Sequence, residues 1–353
     1  MTRILPLHLA ITFGALAATA CGEDRLPTDS AGDPAPTAPS LAVASNSWTP
    51  KAPIVGSFIF GVAAGVAPNS AGQSIVYTFG GTTYDGGSGA VIQAYNVATN
   101  TWTGKSRDTR IYVHDLNGVA KIGSKLYFSG GDGWGDEPSS RVTWAYDYTN
   151  DRLIRKADMP KATSGGVTGV IDGKMYVLPA FCDGSGWPSP GYCDHSAIRQ
   201  LFRYDPATNI WVARKSAPHY HAGGAGGVLG GKFYVAGGFD DHGATANLDA
   251  YDPATNTWRA LAPLPTAGSA IGTVLGSKLF VIVTVGFTSE RHAYAYDPAT
   301  NTWKARATPT WDHLAVARVT LDGVAHLLAV GGAHVGPYPP GDVIPNDSEL
   351  YTR

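Results

Sequence analysis

The chain has 353 residues, and its 26 lysines and arginines against 28 aspartates and glutamates leave a formal net charge of −2. That balance offers no positive stripe for a phosphate backbone, so it argues against a nucleic-acid partner. No apolar stretch beyond the first twenty residues is long enough to span a bilayer. There is also no P-loop or dinucleotide fingerprint, because the many glycine pairs stand at strand ends and precede strands rather than helices.

Taken in chain order, Arg3 precedes the apolar stretch Ile4 to Ala20, which closes on Ala18-Thr19-Ala20-Cys21. A short apolar run after one basic residue, ending in small side chains, reads as an export signal rather than a spanning helix. Cysteine directly after those small residues resembles the bacterial lipobox, although Ala18 stands where that motif usually carries leucine or another larger aliphatic. The resemblance implies Cys21 as the lipid-bearing first residue of the mature chain. Gly22 after it, rather than an aspartate, implies the outer membrane of a Gram-negative cell. An ordinary cleaved signal with a chance cysteine is the alternative. Residues 21–45 are rich in Pro, Ala, Ser, Thr and Asp and are expected to form a disordered tether, with membrane contact through the lipid alone.

From residue 46 the chain repeats itself. Tyr251-Asp252-Pro253-Ala254-Thr255-Asn256-Thr257-Trp258 recurs almost letter for letter at Tyr204 to Trp211 and Tyr296 to Trp303, with weaker copies at Tyr95 to Trp102 and Tyr146 to Leu153. Each copy describes a hairpin: Asp252 accepts a bond from the turn backbone, Pro253 presets the turn, and Asn256 tolerates a left-handed backbone. The flanking Tyr and Trp suit paired strands that bury large rings against a neighbouring sheet. About a dozen residues upstream of such hairpins, apolar runs end in glycine pairs at Gly80-Gly81, Gly130-Gly131, Gly237-Gly238 and Gly331-Gly332. Two units drop the pair, at Leu178-Pro179-Ala180 and Val283-Thr284.

One unit therefore reads as four antiparallel strands, which is a propeller blade. The recurring Gly-Gly, Tyr-Asp and Trp positions resemble the Kelch repeat over residues 46–353. The expectation is an all-β, six-bladed Kelch-type β-propeller. Trp48 has no blade before it, and the last blade ends at Tyr351 without a fourth strand. The ring is thus expected to close by pairing Asn46-Ser47-Trp48 with the C-terminal strand near Leu350-Tyr351, which removes an open sheet edge.

The Asp-Pro-Ala-Thr-Asn turns fall on one face of such a ring; the loops after Gly-Gly and the links into each innermost strand fall on the other, called here the top. His114, His195, His219, His221, His242, His292, His313 and His334 all map to the top. Aligning innermost strands places Tyr112 and His114 of blade two opposite His219 and His221 of blade four, with His313 of blade six matching His219. Lys161 falls at the same level in blade three. Imidazoles from alternate blades are then expected to converge on the channel mouth. There His114, His221 and His313 are candidate ligands for zinc or another transition metal, against a plain reading of a watered channel whose histidines bond backbone carbonyls. No cofactor is otherwise implied. Cys182 and Cys193 bracket an inserted loop, and in an oxidising compartment a disulfide between them is expected.

The candidate ligand-binding residues are Tyr112, His114, Trp134, Asp136, Lys161, His219, His221, Asp241, Glu290, Arg291, Asp312 and His313. Loop aromatics beside carboxylates suit a glycan, a peptide or a protein ligand, and the chain is expected to act as a monomeric, envelope-anchored binding module. The alternative is a carbohydrate-acting enzyme. Exported six-bladed Kelch proteins include sialic acid mutarotases, whose chemistry needs a general acid and base that His219, His221, Glu290 and Arg291 can supply. A copper site like that of galactose oxidase needs a cysteine cross-linked to tyrosine, and the iron motif of plant specifier proteins needs a spacing that Glu290-Arg291-His292 lacks. An adaptor role like that of eukaryotic Kelch proteins usually comes with helical domains, which this sequence lacks.

Overall fold

The computed structural model describes residues 45–55, 59–83, 91–107, 114–132, 139–180, 197–286, 290–311, 313–331 and 347–353, all within the compact unit Val43–Arg353. The signal, the tether and the Cys182–Cys193 loop lie outside these residues.

Six four-stranded antiparallel sheets follow one another around a ring. Blade one is Ala63–Pro68, Ser74–Phe79, Val91–Asn96 and Thr101–Arg107; blade two is His114–Ile122, Lys125–Asp132, Thr143–Asp147 and Arg152–Lys156. Blade three is Val167–Ile171, Lys174–Leu178, Phe202–Asp205 and Ile210–Ala213; blade four is Ala225–Leu229, Lys232–Ala236, Leu248–Asp252 and Thr257–Ala260. Blade five is Ser269–Leu275, Lys278–Thr284, Arg291–Asp297 and Thr302–Arg306. Blade six takes Ala315–Leu321, Val324–Val330 and Ser348–Thr352 from the C-terminus and its outermost strand, Ser47–Lys51, from the N-terminus. Trp48 pairs with Tyr351 in that closure, as the sequence led us to expect. Innermost strands adjoin in succession, and Ala315–Leu321 returns to Ala63–Pro68.

Alternation along each strand gives every blade two apolar faces, so the core is a set of seams between blades. In blade five, Leu279, Val281 and Val283 pack with Tyr234 and Ala236 of blade four. The intervening Phe280 and Ile282 pack with Leu327 and Tyr351 of blade six. The glycine pairs end the second strands for a steric reason. Gly237 and Gly238 have φ of 67° and 93°, and a Cβ on Gly238 would lie 2.5 Å from the carbonyl oxygen of Ala222.

The hairpin repeat does more than turn the chain. The Asp side chain at its start caps the turn, as when Asp252 Oδ1 accepts the Ala254 N–H at 3.0 Å. Asn100, Asn209, Asn256 and Asn301 all sit at φ between 55° and 57° and each accepts the hydroxyl of the tyrosine five residues before it, at 2.6–2.7 Å. Burial pushes the phenols of Tyr95, Tyr204 and Tyr296 up to about 12, so they remain donors throughout the ordinary pH range. The same asparagine oxygens also accept one backbone N–H from the preceding blade, and the Trp indole N–H donates to the carbonyl of that same residue. Blade four holds Lys215 in this way (3.1 and 2.8 Å) and blade five holds Ala262 (3.0 and 2.9 Å). Ala52 and Ala157 are held likewise by blades one and three.

At the closure the same device is assembled from both termini. Asn46 (φ 58°) accepts the Tyr351 hydroxyl at 2.9 Å and the Ala307 N–H at 3.1 Å, while Trp48 donates to the Ala307 carbonyl at 2.7 Å. Replacing Trp48 with phenylalanine is expected to cost about 1 kcal/mol through the lost indole bond, and replacing it with alanine about 3 kcal/mol. Urea denaturation measures both, and unchanged stability in Trp48→Ala would show that the closing strand does not support the ring.

Candidate functional site

Each blade connects to the next by a link that runs from an outermost strand to the following innermost strand, on the face opposite the hairpin turns. A link has no ladder of its own, so its polar groups must find partners elsewhere. In blades four, five and six the third strand supplies them. Its residue two before the repeat tyrosine points into the same seam as that tyrosine. This position is Gln93, Trp144, Phe202, Asp249, Tyr294 and Glu349 in blades one to six.

In blade six, His313 of the link donates Nδ1–H to the Gly331 carbonyl at 3.0 Å and lies 2.8 Å from Glu349 Oε2 through Nε2. The same carboxylate accepts the backbone N–H of Thr310 at 2.9 Å and of Trp311 at 3.3 Å. The imidazole also stacks on Trp48, with ring centres 6.5 Å apart. Burial pushes the Glu349 carboxyl up, but the bonds from His313 and Thr310 outweigh it and hold the group below its ordinary range. Asp347 moves the other way, raised by burial and by Glu349 beside it.

Blade four repeats this arrangement and adds to it. His221 donates Nδ1–H to the Gly237 carbonyl at 3.0 Å and sets Nε2 3.1 Å from Asp249 Oδ2, with both side chains wholly buried. His219 places Nδ1 3.0 and 3.1 Å from the two oxygens of the same carboxylate, and its side chain is 38% exposed. Beside it, Arg199 donates to the Pro218 carbonyl at 3.2 Å and lies over the Tyr220 ring at 5.0 Å. In blade five the link is tied more simply, by Thr266 and the Tyr294 hydroxyl at 2.8 Å.

These contacts revise the alignment of the histidines. The partner of His313 in the repeat is His221, not His219, because both donate to the first glycine of a Gly-Gly pair and both face a third-strand carboxylate. Rather than converging on the channel mouth, His221 and His313 turn into separate seams, where both ring nitrogens are engaged. The discriminating signal was present in the sequence: an acid two residues before the repeat tyrosine occurs in blades four and six alone, the blades whose links carry these histidines.

The other candidates scatter over the same face. His114 opens the first strand of blade two, with its backbone paired to Asp132; its side chain lies outside the described residues. Tyr112, Trp134, Asp136 and Asp312 also lie outside them. Lys161 is exposed on the link into blade three. Glu290 meets His292 Nε2 at 2.9 Å, and Arg291 donates to the Thr310 carbonyl at 2.7 Å, joining blade five to the link into blade six. Asp241 sits at a hairpin tip 2.8 Å from His242 Nδ1. Among the described residues, Asp240, Asp241 and His242 form the group of three whose ligand atoms lie within 4.8 Å of one another.

Because Glu349 has a folded pKa below its unfolded one, its contribution is fully present above the unfolded carboxylate value and is lost as pH falls through the folded value. Glu349→Gln is therefore expected to cost roughly 3 kcal/mol at neutral pH, by replacing the carboxylate that His313 and the two link amides share with a neutral amide that has a single acceptor oxygen, and to flatten the acid limb of the stability profile. Thermal melts between pH 3 and pH 7 check this. Parallel acid limbs in the two proteins would remove Glu349 from the account.

Comparison with known proteins agrees with the architecture. The Kelch motif family profile matches residues 221–265, which span the link, the Gly-Gly pair and the repeat hairpin of blade four. Kelch-like protein 38 of Rattus norvegicus is 25% identical over 144 residues, covering 41% of this chain and 22% of that protein. Kelch-like protein terF of Aspergillus terreus is 27% identical over 234 residues, covering 63% of this chain and 48% of that protein. The matches thus span less than half the length of these relatives. The solved structure of YjhT superposes with a TM-score of 0.66 at 17% identity, covering 86% of this chain and 96% of that one, a likeness of fold. Six blades, with their glycine pairs, capped hairpins and tryptophan clamps, make this chain a six-bladed β-propeller that carries a Kelch motif in blade four.

Proposed function

We propose that the protein is a binding module, lipid-anchored in a bacterial cell envelope, that presents the link-bearing face of its propeller to a glycan, peptide or protein ligand. One observation carries the reading: the two faces are chemically unlike. On the hairpin face the same bonds recur from blade to blade, and the turn aspartates pair with lysines of the second strands (Lys174–Asp205 at 2.7 Å, Lys232–Asp252 at 2.8 Å). Those side chains already serve the fold. Among the described residues the opposite face does not repeat from blade to blade, as the His219–Asp249 pair, the exposed Glu290–His292 pair and the acidic hairpin at Asp240 show. Variation on an otherwise repeated scaffold is where recognition is built. The anchoring part of the proposal is supported by Arg3, the apolar stretch Ile4 to Ala20 and Cys21. A metal at the channel mouth is left out of it, since His221 and His313 keep no nitrogen for an ion.

Screening the mature protein on a glycan array and a peptide library is expected to give ligands whose affinity falls about tenfold or more in Glu290→Ala or Asp241→Ala. Ligands that bind both variants as tightly as the native protein would move recognition elsewhere. Cys21→Ser is expected to abolish incorporation of labelled palmitate and release the protein from membranes. Membrane retention in that variant would overturn the lipid anchor.

A second reading has one observation in its favour. A carboxylate-held imidazole with an exposed edge, as at His219, is the kind of group that moves protons on a sugar ring, and a mutarotase needs little else but a complementary acid. Exchange NMR on reducing sugars separates the two: accelerated anomer exchange supports the enzyme, and binding without it supports the module.

A further inference from the structure

We infer that His219 is a proton-accepting centre: its Nε2 takes the proton of a hydroxyl-bearing ligand or water molecule, and Asp249 is its positioning residue. The argument is an internal comparison between two blades of one chain. In blade six a single histidine ties the link, with Nδ1 on the first-glycine carbonyl and Nε2 on the third-strand acid. In blade four His221 makes that pair of contacts by itself. His219 stands where blade six has the amides of Thr310 and Trp311, as a second donor to the acid, and it is held by both oxygens of a carboxylate that is itself wholly buried.

That hold fixes the chemistry of the ring. An ionised carboxylate only accepts, so Nδ1 of His219 carries a hydrogen, and in the neutral ring the lone pair is on Nε2. Nε2 has no partner among the described residues, and the side chain is 38% exposed, against none for His221. A ring fixed in one tautomer by a buried acid, with the other nitrogen open, is the arrangement a general base requires. In the step, the ligand O–H bond breaks and an N–H bond forms at Nε2. The oxygen keeps the electron pair for attack on an electrophilic carbon, and the imidazolium is offset by Asp249. The inference rests on the reading of this face as the ligand-bearing one, and its test needs no natural ligand.

The probe is p-nitrophenyl acetate. Water or Nε2 attacks the ester carbon, p-nitrophenolate leaves, and acetate is released on hydrolysis. The mature protein is expected to hydrolyse it roughly tenfold faster than His219→Asn, with added imidazole restoring part of the rate in His219→Ala. His242, whose side chain is 87% exposed, is the control: on exposure alone His242→Asn would lose more activity than His219→Asn, and the inference expects the reverse. Long-range proton–nitrogen NMR is expected to show His219 protonated at Nδ1. That signature should be lost in Asp249→Asn and return in Asp249→Glu, the residue blade six uses at this position. Equal hydrolysis by the native protein and His219→Asn, or His219 protonated at Nε2, would overturn the inference. Should Asp249→Asn not fold, the exposed-residue variants decide it. Failure here with ligands still bound on the array would leave the binding module standing without a base.

Discussion

At five of the six seams one backbone residue is gripped from the next blade by an asparagine oxygen on its N–H and an indole on its carbonyl, and this sets the geometry of the molecule. Hydrophobic seams alone are non-directional and would let neighbouring sheets slide. Two bonds of opposite polarity on one residue fix height and tilt together, and both are made by a hairpin whose left-handed asparagine is itself locked by a buried tyrosine. Because the device works between blades, a ring of it has no natural end. The copy that closes the circle has to be cut somewhere, and here the cut falls inside it, with Asn46 and Trp48 contributed from before the first blade and Tyr351 from the last strand.

This constraint pushes functional variation away from the hairpins. A change at the turn tyrosine, asparagine or tryptophan disturbs two blades at once, whereas a change in a link or at the third-strand position above it disturbs one anchoring contact. That position accordingly carries six different residues, from Gln93 to Glu349, and the link partners change with it. Histidine with acid, threonine with tyrosine, and buried aromatic side chains all meet the same need. A buried carboxylate is the most demanding choice, since it must be matched by several donors. Glu349 meets that with two amides and an imidazole, and Asp249 with two imidazoles. The imidazoles of Asp249 are what give blade four a group with spare chemistry.

The repeat made the ring legible before any coordinates. Turn chemistry is local, so Asp-Pro-Ala-Thr-Asn announced a hairpin from five letters, and the displaced tryptophan series announced the closure at Trp48. The histidines were harder for a physical reason. They lie on links of unequal length, where no period sets the register, and counting back from the glycine pairs matched His313 to the wrong partner. Their direction depends on a third-strand residue 28 to 36 positions away, which alternation along the innermost strand cannot reveal. The acid two residues before the tyrosine was visible, but its meaning required knowing that the link folds over the top of that strand.

The one blade that lacks the tryptophan shows what the clamp can be exchanged for. Blade two has Leu153 at that position and Asp151 where the asparagine stands, so Tyr146 still donates to a left-handed residue, at 2.7 Å, while a leucine takes the place of the clamping indole. The seam there is instead the most aromatic of the ring. Tyr77 and Phe79 of blade one meet Tyr146 with ring centres 5.6 and 5.5 Å apart, Phe79 meets Phe128 at 4.6 Å, and Leu153 is buried among them. Trp144 occupies the third-strand position in the same seam, with Arg155 lying over its ring at 5.5 Å. Buried aromatic area stands there in place of the tryptophan's bond, and such area is non-directional.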